Sequence, residues 1–276
     1  MQPNNLRNDR KTMKFSQIFN FKAFVYHFIF SFLLIGGLSL FIVTLWYPDI
    51  WASELGGYKL VLMMLLLDLG VGPLCVGLSY KAHKSRKEKI SDVSIITLCQ
   101  LAFFSWGAWT VSISRPVYIV FDTDRFEMAV DQDIDRTKLP ESGEFSSVPF
   151  LKSMRMAAVD LEATVPDEKE RIEVNNDSVF GMDISKMPKY YVPYEGEQIA
   201  KVLKAAKGYD LFSKNADAKA QADAMIEKYG LTEETFKWLP IRYFSPEAQG
   251  QLFMTVVIDS KTAEIVDYIL LDPYEI

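Results

Sequence analysis

The sequence is poor in the residues that most enzymes and disulfide-held domains rely on. It has two cysteines, Cys75 and Cys99, and both fall inside apolar runs. Residues 115–276 have none, so a disulfide scaffold is excluded there and that part must be held together by its core. Histidine is equally scarce, with only His27 and His83. Without a histidine beyond residue 83, no Ser-His-Asp or Cys-His arrangement can form in the second part of the chain. A GxSxG elbow, a phosphate-cradling Walker loop and zinc-ligand spacings are all missing. Acid pairs such as Asp122/Asp124 and Glu233/Glu234 occur, but in an acid-rich segment they read as a solvated surface. Asp122, Asp124, Asp131, Asp133 and Asp135 lack the glycine and closing glutamate of a calcium loop. There is no internal repeat. No catalytic, metal or cofactor residue is assigned, and the expectation is a non-enzymatic protein.

What the chain has in abundance is apolar sequence at its front. Residues 24–46 run for 23 positions without Lys, Arg, Asp or Glu. At 1.5 Å per residue a helix of that length reaches about 34 Å, enough for a hydrocarbon core of about 30 Å. Residues 60–80 form a second run with one charge, Asp68, and residues 93–114 a third with none. Three such runs in 114 residues argue against buried helices of a soluble protein. The first is too long for the apolar region of a cleaved signal, and Tyr47-Pro48-Asp49 after it offers no small-residue cleavage site.

Charge divides the chain in the same place. Residues 1–114 carry 11 Lys/Arg against 6 Asp/Glu, whereas the rest carries 19 against 30. An acidic second part is a poor match for nucleic acid. Arg7, Arg10, Lys11, Lys14 and Lys22 precede the first run, and Lys81, Lys84, Arg86, Lys87 and Lys89 lie between the second and third. The intervening loop has Asp49 and Glu54 with only Lys59. The positive-inside rule then places residues 1–22 and the basic loop in the cytoplasm and residues 115–276 outside, in the periplasm of a Gram-negative host. Trp46, Tyr47, Trp51, Trp109 and Tyr118 suit the outer interface. Residues 1–13 read as a mobile polar tail.

Asp68 lies mid-span, where an ionised carboxylate costs about 2.5–3.5 kcal/mol on insertion scales. Pro73 cannot donate to the carbonyl of Leu69, so a kink is expected, and Gly70 and Gly72 permit close approach of another backbone. Two readings follow. Asp68 is either bonded within the bundle, to Thr97, Gln100 or Ser105, or it faces a partner's transmembrane helix or an ion. A second intramembrane acid, which a proton or ion pathway needs, is not found.

In the second part, 117–121 and 125–130 read as a β-hairpin around Asp122-Thr123-Asp124. Residues 131–149 read as a loop, 150–163 as either helix or strand, and 186–194 as an extended loop. Helices are expected from Pro166-Asp167-Glu168 onward, over 195–207 and over 216–229, the last two stopped by Gly208 and Gly230. Strands follow at 238–244, 252–258 and 265–271. The fold class is therefore a membrane protein with a three-helix transmembrane bundle (23–114; spans at about 24–46, 60–80 and 93–114). An extracytoplasmic α+β domain (115–276) follows, its first hairpin pairing with the last strands.

Several motifs stand in a characteristic order: Trp46-Tyr47-Pro48, Leu67-Asp68-Leu69-Gly70-Val71-Gly72-Pro73-Leu74, Arg115-Pro116-Val117-Tyr118-Ile119-Val120-Phe121 with Asp124-Arg125-Phe126, Trp238-Leu239-Pro240, Thr255-Val256-Val257-Ile258-Asp259 and Leu270-Leu271-Asp272-Pro273. Together they resemble the TfpX/TfpZ-type type IV pilin accessory proteins over nearly the whole chain, apart from the first 14 residues. The resemblance implies an inner-membrane, non-enzymatic accessory protein or chaperone for a cognate major pilin, with pilin and the lipid bilayer as partners. Asp68, Gly70, Gly72 and Pro73 would meet the pilin helix. The soluble domain would hold the head, the short Arg115-Pro116 junction fixing it close to the bilayer, with Arg115, Pro116, Asp124, Arg125 and Phe126 as its candidate partner-binding residues. The alternatives are a membrane-tethered sensor of an external ligand and a membrane-bound enzyme of lipid or glycan modification.

Overall fold

The computed structural model describes residues 19–48, 50–81, 83–150, 154–179 and 183–276. The tail expected over 1–13, the basic residues Arg7 to Lys14 and the loop acid Asp49 lie outside them. Among the described residues, three helices are long and apolar enough to cross a membrane: span 1 (Phe21–Trp46), span 2 (Gly57–Ser79) and span 3 (Arg86–Ile113). An α+β domain built on a mixed sheet follows them. The described residues fall into two compact units, one drawn from residues 19–42 and 60–110, the other from 43–59 and 111–276. The loop between spans 1 and 2 thus belongs to the sheet domain.

In the first unit the spans are joined at glycines. A Cβ on Gly77 would meet the Phe19 ring at 2.4 Å, and one on Gly72 would meet the Gln100 side chain at 2.0 Å. A side chain at either position on span 2 would force a neighbour to move, the Phe19 ring at Gly77 and the Gln100 amide of span 3 at Gly72. Gly70 has open space instead. Spans 1 and 2 each carry one π-helical turn, Phe32–Gly36 and Leu67–Val71. The second ends just before Pro73, whose missing N–H makes a regular α-turn impossible to complete, so the widened turn absorbs the loss. Span 3 starts at Arg86, ahead of its apolar run. Ser85 and Glu88 close a reciprocal capping box, with Ser85 N–H donating to Glu88 Oε2 at 2.7 Å and Glu88 N–H to Ser85 Oγ at 3.3 Å.

Among its described residues the second unit holds seven strands in the order β4-β3-β1-β2-β5-β6-β7. They are β1 (Pro116–Asp122), β2 (Arg125–Val130), β3 (Arg155–Val159), β4 (Tyr191–Pro193), β5 (Lys237–Ser245), β6 (Gly250–Ile258) and β7 (Ile265–Ile269). β1 is buried on both faces, which its unbroken apolar run Val117-Tyr118-Ile119-Val120-Phe121 requires. It pairs antiparallel with β2 and parallel with β3. The expected junction of the first hairpin with the last strands is present as a parallel β2–β5 pairing, confined to Phe126↔Ile241 and Glu127↔Arg242. Pro240, immediately before Ile241, has no N–H to offer that ladder. Tyr118, Phe145 and Tyr191 form one aromatic core. Phe212, Phe236 and Trp238 form another beneath the helix Ala216–Tyr229. That helix is capped by the Asn215 side chain and stopped by Gly230 at φ 65°.

Two segments are resolved by contacts that sequence pattern does not carry. The ambiguous stretch becomes strand β3 followed by the short helix Leu161–Thr164, and three residues of the supposed extended loop become edge strand β4. Asp160 ties this edge down. Its carboxylate accepts from Gln198 Nε2 at 2.7 Å, Lys201 Nζ at 2.8 Å and Ala163 N–H at 3.0 Å. Burial pushes this carboxyl up, but these three donors outweigh it and hold it below the usual carboxylate range. The lowered value adds stability above the unfolded pKa of about 3.9, lost as pH falls through the folded value. Asp160→Ala is expected to cost about 1 kcal/mol at neutral pH, since it removes a cap and an ion pair with a half-exposed lysine. Chemical unfolding at pH 7 and at pH 3 checks this: the difference from wild type should shrink in acid, and a gap independent of pH would contradict it.

Candidate functional site

The first unit contains a groove of about 390 Å³ between spans 2 and 3, lined in part by Met63, Leu67 and Asp68 on one side and Phe103, Trp106 and Thr110 on the other. Met63, Leu67, Phe103 and Trp106 are more than half exposed, as side chains facing lipid are. Asp68 is 1% exposed. A polar cluster surrounds it. Gln100 Nε2 donates to the main-chain carbonyl of Asp68 at 2.7 Å and lies 3.5 Å from Ser31 Oγ. His27 Nε2–H donates to Gln100 Oε1 at 2.7 Å, since an amide oxygen only accepts. Ser105 Oγ is turned to its own helix, at Leu101 O. Gln100 is therefore adjacent to Asp68 but bonds its backbone, not its carboxylate. Among the described residues, Asp68 Oδ2 has no hydrogen-bond partner.

The remaining residues singled out by sequence are dispersed. Gly72 and Pro73 are buried, Gly72 against Gln100, while Gly70 is open. Arg115 is 3% exposed, and its guanidinium donates to Asp131 Oδ2 at 2.7 Å, to Pro149 O at 2.9 Å and to Ser112 O. It also lies 5.6 Å from the Trp46 ring and 5.1 Å from the Phe150 ring. Pro116 is buried beside it. Phe126 is fully buried against Phe121, a core residue with no face to offer a partner. Asp124 is largely exposed and pairs with Arg125 at 3.2 Å. Arg125 also joins Arg242 on the buried Glu127, at 2.6 and 2.7 Å. Burial pushes the Glu127 carboxyl up, against the hydrogen bonds from Arg242 and Arg125.

Sequence reasoning missed the seating of the loop between spans 1 and 2. Trp51 is fully buried, its ring edge-on to Tyr243 at 5.6 Å and to Tyr268 at 5.3 Å. Tyr243 Oη donates to Glu54 Oε2 at 2.8 Å, and Lys59 pairs with Glu247 at 2.7 Å. Trp46 Nε1 donates to Phe150 O at 2.9 Å, and Tyr47 Oη to Val111 O at 3.0 Å. Trp46 at the end of span 1, with Tyr47 and Trp51 in the loop after it, were the available signal, equally readable as interface anchors.

Fold and site together define a membrane-anchored α+β protein with a buried carboxylate in its spanning part. No family model and no solved structure matches the chain. Three proteins of Dichelobacter nodosus are similar to it. The fimbrial assembly protein of serogroup I is 29% identical over 254 residues, 91% of this chain and 94% of that protein. That of serogroup E1 is 28% identical over 253 residues, with the same coverage. That of serogroups C1 and C2 is 31% identical over 116 residues, 42% of this chain and 88% of that protein. The chain belongs to this family of fimbrial assembly proteins.

Proposed function

We propose that this protein is an inner-membrane accessory protein of type IV pilus assembly, of the TfpX/TfpZ type, acting without catalysis as a chaperone for a cognate major pilin. The observation that carries the reading is similarity to fimbrial assembly proteins over 91% of the chain, spanning part and sheet domain alike. In this reading the basic loop faces the cytoplasm and the sheet domain the periplasm, in keeping with the positive-inside rule. A pilin waiting in the bilayer offers one apolar helix and an external head. The client's holder needs a face for each, and the chain has a groove beside Asp68 and a domain whose sheet is built around the loop between spans 1 and 2.

Deleting the gene in its host is expected to lower the number of surface pili and the amount of major pilin held in the membrane, with restoration by a plasmid copy. In native membranes, chemical crosslinking should join the chain to pilin. Unchanged piliation together with no crosslinked pilin would overturn the proposal.

A further inference from the structure

We infer that the groove between spans 2 and 3 receives one membrane-spanning helix of a partner protein, and that this helix presents a cationic or N–H/O–H donor group to Asp68. The inference rests on the reading of this chain as a holder of a membrane-embedded client, and it specifies the chemistry of that client's helix.

The walls of the groove are apolar, and lipid tails would cover such walls as well as a helix does. Asp68 breaks that equivalence. Its carboxylate is buried, and Oδ2 has no partner among the described residues. Two donors of the surrounding cluster are committed elsewhere, the Gln100 amide to the Asp68 main chain and the His27 N–H to Gln100. An unmet acceptor of this kind is expensive in hydrocarbon. A lipid tail has no donor. A lipid headgroup is too far away, because Asp68 is the midpoint of Gly57–Ser79 and lies about 16 Å from either helix end at 1.5 Å per residue. A spanning helix with a polar group near its middle supplies both the apolar surface and the donor.

Photocrosslinking in the host's membranes, with its major pilin present, tests this. A photoreactive residue would replace Met63 or Trp106 on the groove walls, or Leu33 on span 1, which is 69% exposed and does not line the groove. The expected result is an adduct from Met63 and Trp106, mapped by mass spectrometry to pilin's spanning segment, and none from Leu33. Asp68→Leu should lower the yield about tenfold, the factor that corresponds to one hydrogen bond of about 1.4 kcal/mol. Where that variant does not accumulate, the wild-type chain is paired with pilin variants in which each polar residue of the crosslinked segment is changed to leucine. One of them should show the same loss. Adducts only to lipid or to a second copy of this chain, equal yield from Leu33, or a yield indifferent to these substitutions would overturn the inference. Pilin captured from the exposed Asp124 but never from the groove would overturn it while leaving the pilin-chaperone reading intact. A groove adduct to the spanning helix of a different identified pilus protein, lost with Asp68→Leu, would do the reverse.

Discussion

Trp51→Ala is expected to destabilise the sheet domain by about 3–5 kcal/mol, the range for removing a large aromatic side chain from a close-packed site. Trp51 is wholly buried and sits edge-on against both Tyr243 of β5 and Tyr268 of β7, so its removal unsupports two strands at once. The loop loses its main anchor, leaving the Tyr243–Glu54 hydrogen bond and the exposed Lys59–Glu247 pair. Exposed pairs of that kind add at most about 1 kcal/mol. The indole N–H has no partner among the described residues, so Trp51→Phe discards no hydrogen bond and should retain most of the stability. Thermal unfolding of the detergent-solubilised chain should show the alanine variant melting about 10 °C or more below wild type. Hydrogen exchange in β5 and β7 should rise with it. A loss under about 1 kcal/mol would mean that the loop's contacts with the sheet contribute little.

The second large effect is expected at the ion cluster of Arg115, Asp131 and Arg136, and it should be asymmetric. Asp131 holds two guanidinium groups: Arg115 at Oδ2 and Arg136 at Oδ1. Arg115 is 4% exposed at its side chain, whereas Arg136 is 54% exposed. Asp131→Ala leaves Arg115 buried with only the carbonyls of Ser112 and Pro149 and the rings of Trp46 and Phe150 around it. An uncompensated buried charge of this kind costs about 3–5 kcal/mol. Arg115→Met leaves Asp131 still neutralised by Arg136 and keeps an apolar stem between the rings, so its cost should be lower, about 1–3 kcal/mol. A double-mutant cycle on the full chain, read by thermal unfolding, separates the two. Equal losses from the two single variants would contradict the geometry.

The parts of this protein that were legible in sequence are those set by local composition. The spans follow from uninterrupted apolar runs, because in a bilayer a helix satisfies every backbone group within itself. The β1–β2 hairpin, the helix ending at Gly230 and the strands of the C-terminal hairpin each carry their own signal of turn residues and periodicity. Strands β3 and β4 carry none. β4 is three residues long and exists because β3 offers it an edge, and β3 exists because β1 does. Phe126 illustrates the same limit within the site: the resemblance singled it out as a partner contact, and the sheet closes over it and buries it.

Asp68 shows where the division falls. Sequence alone determined that one carboxylate sits mid-span, since that needs only hydropathy and position. It also determined that residues 115–276 have no histidine or cysteine for catalysis. Which group satisfies Asp68 was a tertiary matter, decided by the approach of span 3 at Gly72, which brings Gln100 to the Asp68 backbone and leaves the carboxylate over. The same is true of the loop between spans 1 and 2. Its tryptophan suits a membrane interface and a protein core equally by composition, and only the tyrosines of β5 and β7 that meet it turn Trp51 into a core residue.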